Sequence, residues 1–449
     1  MKTAAKPKTL LVLIATILGS AVVILDSTIV NLALPKIGAN LHVGFSDLQW
    51  IIDGYSLSLS ALILLGGSLG DIFGRKKVYL IGLTGFGLSS LFCALAPSAT
   101  VLIGLRILQG IFGALLVPGG LSIINTNFEL KDRGKAIGRW TAWTSMAVLI
   151  GPLAGGIILD VASWRWIFLV NIPIIIACLL ISLPSIEESH DPEPRHVDIL
   201  GACLAALSLA GITFGLIEGP SNHWKILPIV ALLAGITFGI GFIFAELREK
   251  DPMIKLSLFA SRNFSGSNLM TFAMYGSLGG FIVAFVIFLQ QHLGYSSLKT
   301  GLSTLPVSVL LFLFAGRVGG LSSKYGPRIF MTVGPLISAF GISTLYFMNR
   351  GGSYLLHVLP GVILFGTGLV LTVSPLTTTV MTSVDEVNSG IASGINNAVS
   401  RAAGLIVVAV LGLLGEAHVF HFAIILCATL AATAGLVSFG VIENKNLNK

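Results

Sequence analysis

The chain has 449 residues, 54% of them hydrophobic and only 10% charged, against roughly 25% charged in an average soluble domain, and its mean hydropathy is +0.92. These values exclude a soluble globule and point to a polytopic membrane protein. The net charge of +7 does not signal nucleic acid, because the basic residues are scattered over short loops rather than gathered on one face; the excess of Lys and Arg in the inner loops of membrane proteins accounts for it.

Runs of about 18–25 apolar residues are long enough to span a bilayer. Fourteen are present, near 9–31, 47–69, 77–96, 99–124, 136–159, 166–184, 199–218, 227–246, 265–290, 300–320, 328–348, 355–382, 393–415 and 419–441. The first follows Lys2, Lys6 and Lys8 and superficially resembles a signal peptide, but its apolar core runs on without a small-x-small cleavage site, so an uncleaved first span is expected. With both termini cytoplasmic, the inner side collects most of the Lys and Arg, including Arg75, Lys76, Lys77, Arg248, Arg262, Lys324 and Arg328, while the outer side holds Lys36, Arg165, Lys225, Lys299 and Arg350. Cys93, Cys178, Cys203 and Cys427 fall inside apolar runs without CxxC or metal-ligand spacing, and read as reduced, small hydrophobic residues. No metal site is expected, and no cofactor.

The two ends of the chain resemble each other. GSLGDIFGRKK (67–77) lines up with GGLSSKYGPR (319–328) at an offset of 252 residues, and Pro118 with Glu129 eleven residues on is matched by Pro375 with Glu386 eleven on. Duplication explains this as an N-terminal six-helix bundle over 1–184, a linker with two inserted helices over 185–264, and a C-terminal six-helix bundle over 265–449. The expected class is an all-α polytopic membrane protein. Internal repeats of this kind mark secondary transporters, whose substrate site lies between the halves near mid-membrane.

Three charges stand out inside spans. Asp26 lies in LDSTIVNLALP (25–35) of span 1, Asp53 in span 2 and Arg106 in span 4. An ionised side chain near the centre of a spanning helix costs about 2.5–3.5 kcal/mol on insertion scales, so it persists where something partners or uses it. At a rise of about 1.5 Å per residue all three fall in the outer third of the core. A buried Arg beside carboxylates couples protonation to shape, because burial and an adjacent cation act oppositely on a carboxyl group. The alternative is that Arg106 snorkels outward and the acids sit among headgroups.

Gly67, Asp71, Gly74 and Arg75 belong to the loop after span 2, where the glycines permit a tight turn and Asp71 is placed to pair with Arg75. Gly151, Pro152, Gly155 and Gly156 lie in span 5, where proline kinks a helix and glycines admit a neighbouring backbone. Candidate cavity-lining residues are Asn31, Tyr55 and Gln109, with Tyr275, Phe281 and Phe285 of span 9; lipid-facing packing is the plainer reading of the aromatic set, and an aromatic wall would suit cationic cargo. Glu218 and Glu416 fall at outer ends of spans and read as interfacial. No Walker-type loop and no Ser-His-Asp-like constellation is evident, which removes the reasons to expect an ATPase or a membrane enzyme.

Together these segments resemble the major facilitator superfamily, and within it the 14-helix drug:proton antiporters (EmrB/QacA-like). LDSTIVNLALP (25–35), QWIIDGYSLSLSAL (49–62), GSLGDIFGRKK (67–77), LIGLRILQGIFGA (102–114), GPLAGG (151–156), SWRWIFLVNIP (163–173) and LGYSSLKTGLSTLP (293–306) carry the likeness. The resemblance implies a 12-helix rocker core with two inserted helices, located in the cytoplasmic (inner) membrane and acting without an enzymatic step. It also implies proton-driven efflux of hydrophobic or cationic drugs and toxic compounds, by a monomer that works with or without a periplasmic adaptor. By the same resemblance Asp26 and Arg106 serve proton coupling, Asp53 coupling or cation recognition, Gly67, Asp71, Gly74 and Arg75 a conformational latch, and Gly151, Pro152, Gly155 and Gly156 the antiporter helix. Two features depart from the pattern: Ala147 replaces an expected glycine, and spans 9–12 contain no Asp or Glu. The missing acids weigh against polyspecific dication export and leave open a dedicated exporter of one metabolite, lipid-like molecule or amino-acid derivative. A non-transporting sensor on the same fold is a third reading, disfavoured because a scaffold has no use for buried charge.

Overall fold

A computed structural model describes residues 7–190, 198–249, 252, 254–347, 353–384, 389–411 and 419–444. The described residues are helical, with no strand among them. The helices are α1 (Pro7–Leu41), α2 (Phe45–Phe73), α3 (Arg75–Leu95), α4 (Ala99–Asn127), α5 (Leu130–Val161), α6 (Trp166–Leu169), α7 (Asn171–Ser185), α8 (Ile199–Ser221), α9 (Ile226–Arg248), α10 (Arg262–Ile287), α11 (Ser297–Tyr325), α12 (Pro327–Thr344), α13 (Leu359–Thr382), α14 (Ser389–Leu411) and α15 (Val419–Val441).

Among the described residues, 12 helices are long and apolar enough to cross a membrane, or up to 13 when the bent pair Phe45–Ile63 and Leu65–Phe73 counts as one span. Fourteen spans are not reached by this measure. The missing one is the span expected at 136–159: α5 covers it, but Lys131, Asp132, Arg133, Lys135 and Arg139 occupy its first turns, and its apolar part, Met146–Val161, is shorter than a span. The 51° bend in α2 has a local cause. At Gly66 an added Cβ would stand 2.1 Å from the Ala114 carbonyl oxygen, so the helix bends where its backbone lies against α4 and the pair Gly66–Gly67 offers no side chain to resist. Glu416, Asp385 and Glu386 lie outside the described residues.

The chain divides into two compact units: unit 1 is Met1–Leu207 with Glu249–Met253, and unit 2 is Ser208–Arg248 with Ile254–Lys449. Small residues set the helix spacing in both, as expected where lipid supplies no hydrophobic drive and packing must come from close approach. In unit 1, α5 meets α1 at Gly151, where a Cβ would be 2.1 Å from Thr28 Oγ1, and at Gly155, where it would be 2.9 Å from Ile29 Cγ2. In unit 2, α8 and α9 cross at Gly211, with Gly235 Cα 2.8 Å from an added Cβ. Aromatic side chains fill the interior of unit 2: Phe281 packs on Phe285 (5.1 Å between ring centroids) and on Phe365 (4.7 Å), and Phe288 stacks on Phe420 (3.8 Å).

Candidate functional site

Unit 1 encloses a polar cluster drawn from α1, α3, α4 and α7. Asp26 is 0% exposed and Arg106 1%, so the guanidinium is enclosed rather than snorkelling. Arg106 Nη1 donates to Asp26 Oδ2 at 2.6 Å and to Gln109 Oε1 at 2.7 Å, and its Nε donates to the Ile51 carbonyl at 3.2 Å. Gln109 Nε2 donates to Asp26 Oδ1 at 3.1 Å, and Asn171 Nδ2 donates to the same oxygen at 2.9 Å. Asn171 Nδ2 also donates to Ser90 Oγ at 3.0 Å, whose hydroxyl donates to the Phe168 carbonyl at 2.9 Å. The Tyr55 ring lies 4.1 Å from the guanidinium carbon and the Phe168 ring 5.8 Å, a cation–π contribution that gains strength where water is excluded. The break between α6 and α7 makes this possible, because Asn171 opens the second helix and its side chain is fully buried.

The carboxylate thus receives hydrogen bonds from three side chains on two helices, one of them cationic. A buried ion pair is tolerable only when its remaining lone pairs and protons are met in this way. The glycines of α5 press the same stretch of α1, at Thr28 and Ile29, so α5 lies directly against the turn after Asp26. Pro152 lies between them inside α5, and Gly156 is buried beside them.

Asp53 is also 0% exposed, but the structure does not join it to Arg106: neither carboxyl oxygen has a hydrogen-bond partner. The residues expected to line a cavity fall in different settings. Gln109 is locked in the Asp26 cluster and Tyr55 lies against Arg106. Asn31 is half-buried on α1, Tyr275 half-buried on α10, and Phe281 and Phe285 sit inside the aromatic stack of unit 2. A shallow apolar groove of about 390 Å³ between α3 and α4, lined by Leu80, Ile81, Thr84, Gly85 and Phe112, contains none of the candidate residues.

At the loop after α2, Arg75 Nε donates to Asp71 Oδ1 at 2.8 Å, one helical turn apart in sequence. Gly74 ends α2 at φ 109°, a backbone region open to glycine, and its N–H donates to the Gly70 carbonyl at 3.1 Å. The first turn of α3 is capped from a distance: Glu188 Oε1 accepts from the Lys76 N–H at 2.9 Å and Oε2 from the Lys77 N–H at 3.1 Å. A carboxylate there answers both the unmet N–H groups and the positive end of the helix dipole. Its neighbour Glu187 pairs with Lys8, which holds the Glu187 carboxyl below the ordinary glutamate range. Sequence reasoning does not single out Glu188, Asn171 or Ser90; of the three, Asn171 carries a signal, being an amide within the apolar run SWRWIFLVNIP.

The sequence model of the Major Facilitator Superfamily matches residues 16–409. The chain belongs to the major facilitator superfamily. Among curated relatives, it is 35% identical over 405 residues to Multidrug resistance protein Stp of Mycobacterium tuberculosis, covering 90% of this chain and 75% of that one. It is 31% identical over 414 residues to the tetracenomycin C resistance and export protein of Streptomyces glaucescens, covering 91% of this chain and 76% of that one. A crystal structure of a POT family transporter in complex with 5-aminolevulinic acid superposes with a TM-score of 0.76 at 12% identity, over 100% of this chain and 98% of that one. At that identity the likeness concerns the fold alone. This superfamily member is accordingly an all-helical, multi-pass membrane protein of the transporter fold.

Proposed function

We propose that this chain is a proton-coupled exporter of hydrophobic or cationic drugs and toxic compounds, working by alternating access across the cytoplasmic membrane with both termini inside. We place it with the 14-helix drug:proton antiporters. The observation that carries the reading is the enclosed Asp26–Arg106 pair, an ionisable couple that a packing role alone would not retain at this cost. Proton arrival at Asp26 cancels its charge and leaves Arg106 with the Gln109 and Ile51 oxygens and the Tyr55 ring. The cluster ties α1, α4 and α7 together, so neutralising its centre loosens the helices that must move. Asp53 then offers a second carboxyl for a proton or a cationic cargo, and Gly67, Asp71, Gly74 and Arg75 form the inner latch. Relatives named for multidrug resistance and for antibiotic export support the choice of cargo.

A narrower cargo is favoured by one observation: α10 to α15 contain no Asp or Glu, so unit 2 offers no carboxylate in these helices to a divalent cation. The test is accumulation and resistance in a host lacking its own efflux pumps. Reduced uptake of several unrelated lipophilic dyes, reversed by a protonophore, supports the drug exporter; protection against a single compound class replaces it with the dedicated exporter.

A further inference from the structure

Every side chain hydrogen-bonded to Asp26 is a donor to it. Arg106 gives to Oδ2, while Gln109 and Asn171 both give to Oδ1. This arrangement suits the carboxylate and has no place for the acid: a proton added to either oxygen faces only N–H groups. One neighbour must therefore turn round when Asp26 is protonated.

Arg106 has no acceptor to offer. Gln109 is fixed in its present sense, because its Oε1 accepts from Arg106 Nη1 at 2.7 Å and faces the Cys93 thiol at 3.9 Å; turning it would set an NH2 group against the guanidinium. Asn171 differs. Its Oδ1 is buried and has no hydrogen-bond partner, an arrangement that is costly for an acceptor shut away from water. Rotation of this amide brings an idle oxygen to the new O–H. Its other contact adapts as well: the Ser90 hydroxyl, which now donates to the Phe168 carbonyl, can turn to donate to Asn171 Oδ1, while that carbonyl keeps the Val170 N–H.

We propose that Asn171 is a positioning residue whose side-chain amide reverses with the protonation state of Asp26, giving N–H to the carboxylate and C=O to the acid. The inference rests on the reading that Asp26 carries the coupled proton. The other charged and titratable groups facing the couple are Arg106 from α4, Cys93 from α3 and Tyr55 from α2; Arg106 has no acceptor, the Cys93 thiol is turned to Gln109 Oε1, and Tyr55 presents its ring face to the guanidinium. Asn171 lies at the start of α7, directly after the α6–α7 break, so its reversal also changes what holds that break to α3 and α1.

The test is infrared difference spectroscopy between low and neutral pH on the full chain in lipid nanodiscs, with isotope-labelled asparagine, for wild type, Asp26→Asn and Asn171→Leu. The expected wild-type spectrum shows a carboxylic acid band that Asp26→Asn removes, and an asparagine amide band that titrates with the same midpoint and is absent from both variants. Asn171→Leu moves the Asp26 acid band to higher frequency, because its O–H loses its acceptor, and slows proton-driven efflux about tenfold, the size of one hydrogen bond to a charged group. An unmoved acid band with no Asp26-linked asparagine band overturns the inference and leaves Asp26 coupling standing. If Asp26→Asn keeps both the acid band and substrate-linked proton movement, coupling and inference fall together. Should Asn171→Leu not fold, the labelled wild type against Asp26→Asn still decides, since the amide band must vanish with the carboxyl group.

Discussion

In unit 1, Lys8 at the start of α1 pairs with Glu187, and the next residue, Glu188, accepts from the N–H groups that open α3 after the turn at Gly74. In unit 2, Arg262 at the start of α10 pairs with Glu443 at 2.8 Å, and the next residue, Asn444, accepts from the Arg328 N–H at 3.2 Å after the turn at Gly326. Both turns have positive φ, 109° and 89°, and the two glycines lie 252 residues apart. The interiors differ. Unit 1 buries a charged, hydrogen-bonded cluster around Asp26, whereas unit 2 buries the Phe281, Phe285 and Phe365 stack together with a neutral amide group in which Asn396 donates to Asn268 and Thr271. The fastening is thus a repeated structural device, whereas among the described residues the buried Asp–Arg pair lies in unit 1. Chemistry that needs a proton should fail from unit 1 alone, while stability should respond to changes in either.

The sharpest way to break this comparison is to remove one charge and one ring of similar burial. Arg106→Met strands the Asp26 carboxylate and should cost about 3–5 kcal/mol, and it should abolish efflux. Phe365→Ala should cost a similar amount, about 3–5 kcal/mol, through the cavity it opens yet keep measurable proton-linked efflux once the protein is folded. Thermal unfolding in detergent, read beside vesicle transport, separates the two; equal loss of transport in both would erase the distinction between the units.

A smaller effect is expected at the α5–α1 contact. Gly151→Val forces the Thr28 side chain aside and should cost about 1–3 kcal/mol by overpacking, with turnover falling more than substrate binding because it is the motion of α5 that is obstructed. A rise in KM at unchanged maximal rate would count against that role.

The caps give the smallest effects and compare the units most directly. Glu188→Gln should lower the unfolding temperature at low salt, with the difference shrinking as salt rises. Asn444→Asp should do the reverse in unit 2. Acid should act on the neighbouring pair as well: Lys8 depresses the Glu187 carboxyl below its ordinary value of 4.5. The stabilisation is therefore present above that pH and is lost as pH falls through the lowered folded-state value. Hydrogen exchange at the 186–190 segment, followed from neutral to acid pH, would show it, and Lys8→Met should flatten the response.

Much of this arrangement is legible in the sequence because charge in an apolar run must be met by something. Asp26 and Arg106 come out at similar depth from helix rise alone, and the structure pairs them. The same reckoning puts Asp53 at that level, but rise fixes height and not direction around the axis, and Asp53 makes no bond to the cluster. Asn171 escapes notice because a neutral amide in a span carries far less energetic penalty than a carboxylate, and Glu188 because an acid in a polar linker is unremarked by composition. Span bounds are least legible at α5, where apolar and charged residues share one helix and a hydropathy run does not mark where the membrane segment begins.

The central claim, that the Asp26–Arg106 couple links a proton to export, is tested most directly by substrate-induced proton movement in inside-out vesicles carrying wild type or Asp26→Asn, with lipophilic cations such as ethidium as probes. Several such compounds are expected to collapse the pH gradient with wild type, and none with the variant at equal expression. Gradient collapse that persists in Asp26→Asn would contradict the claim.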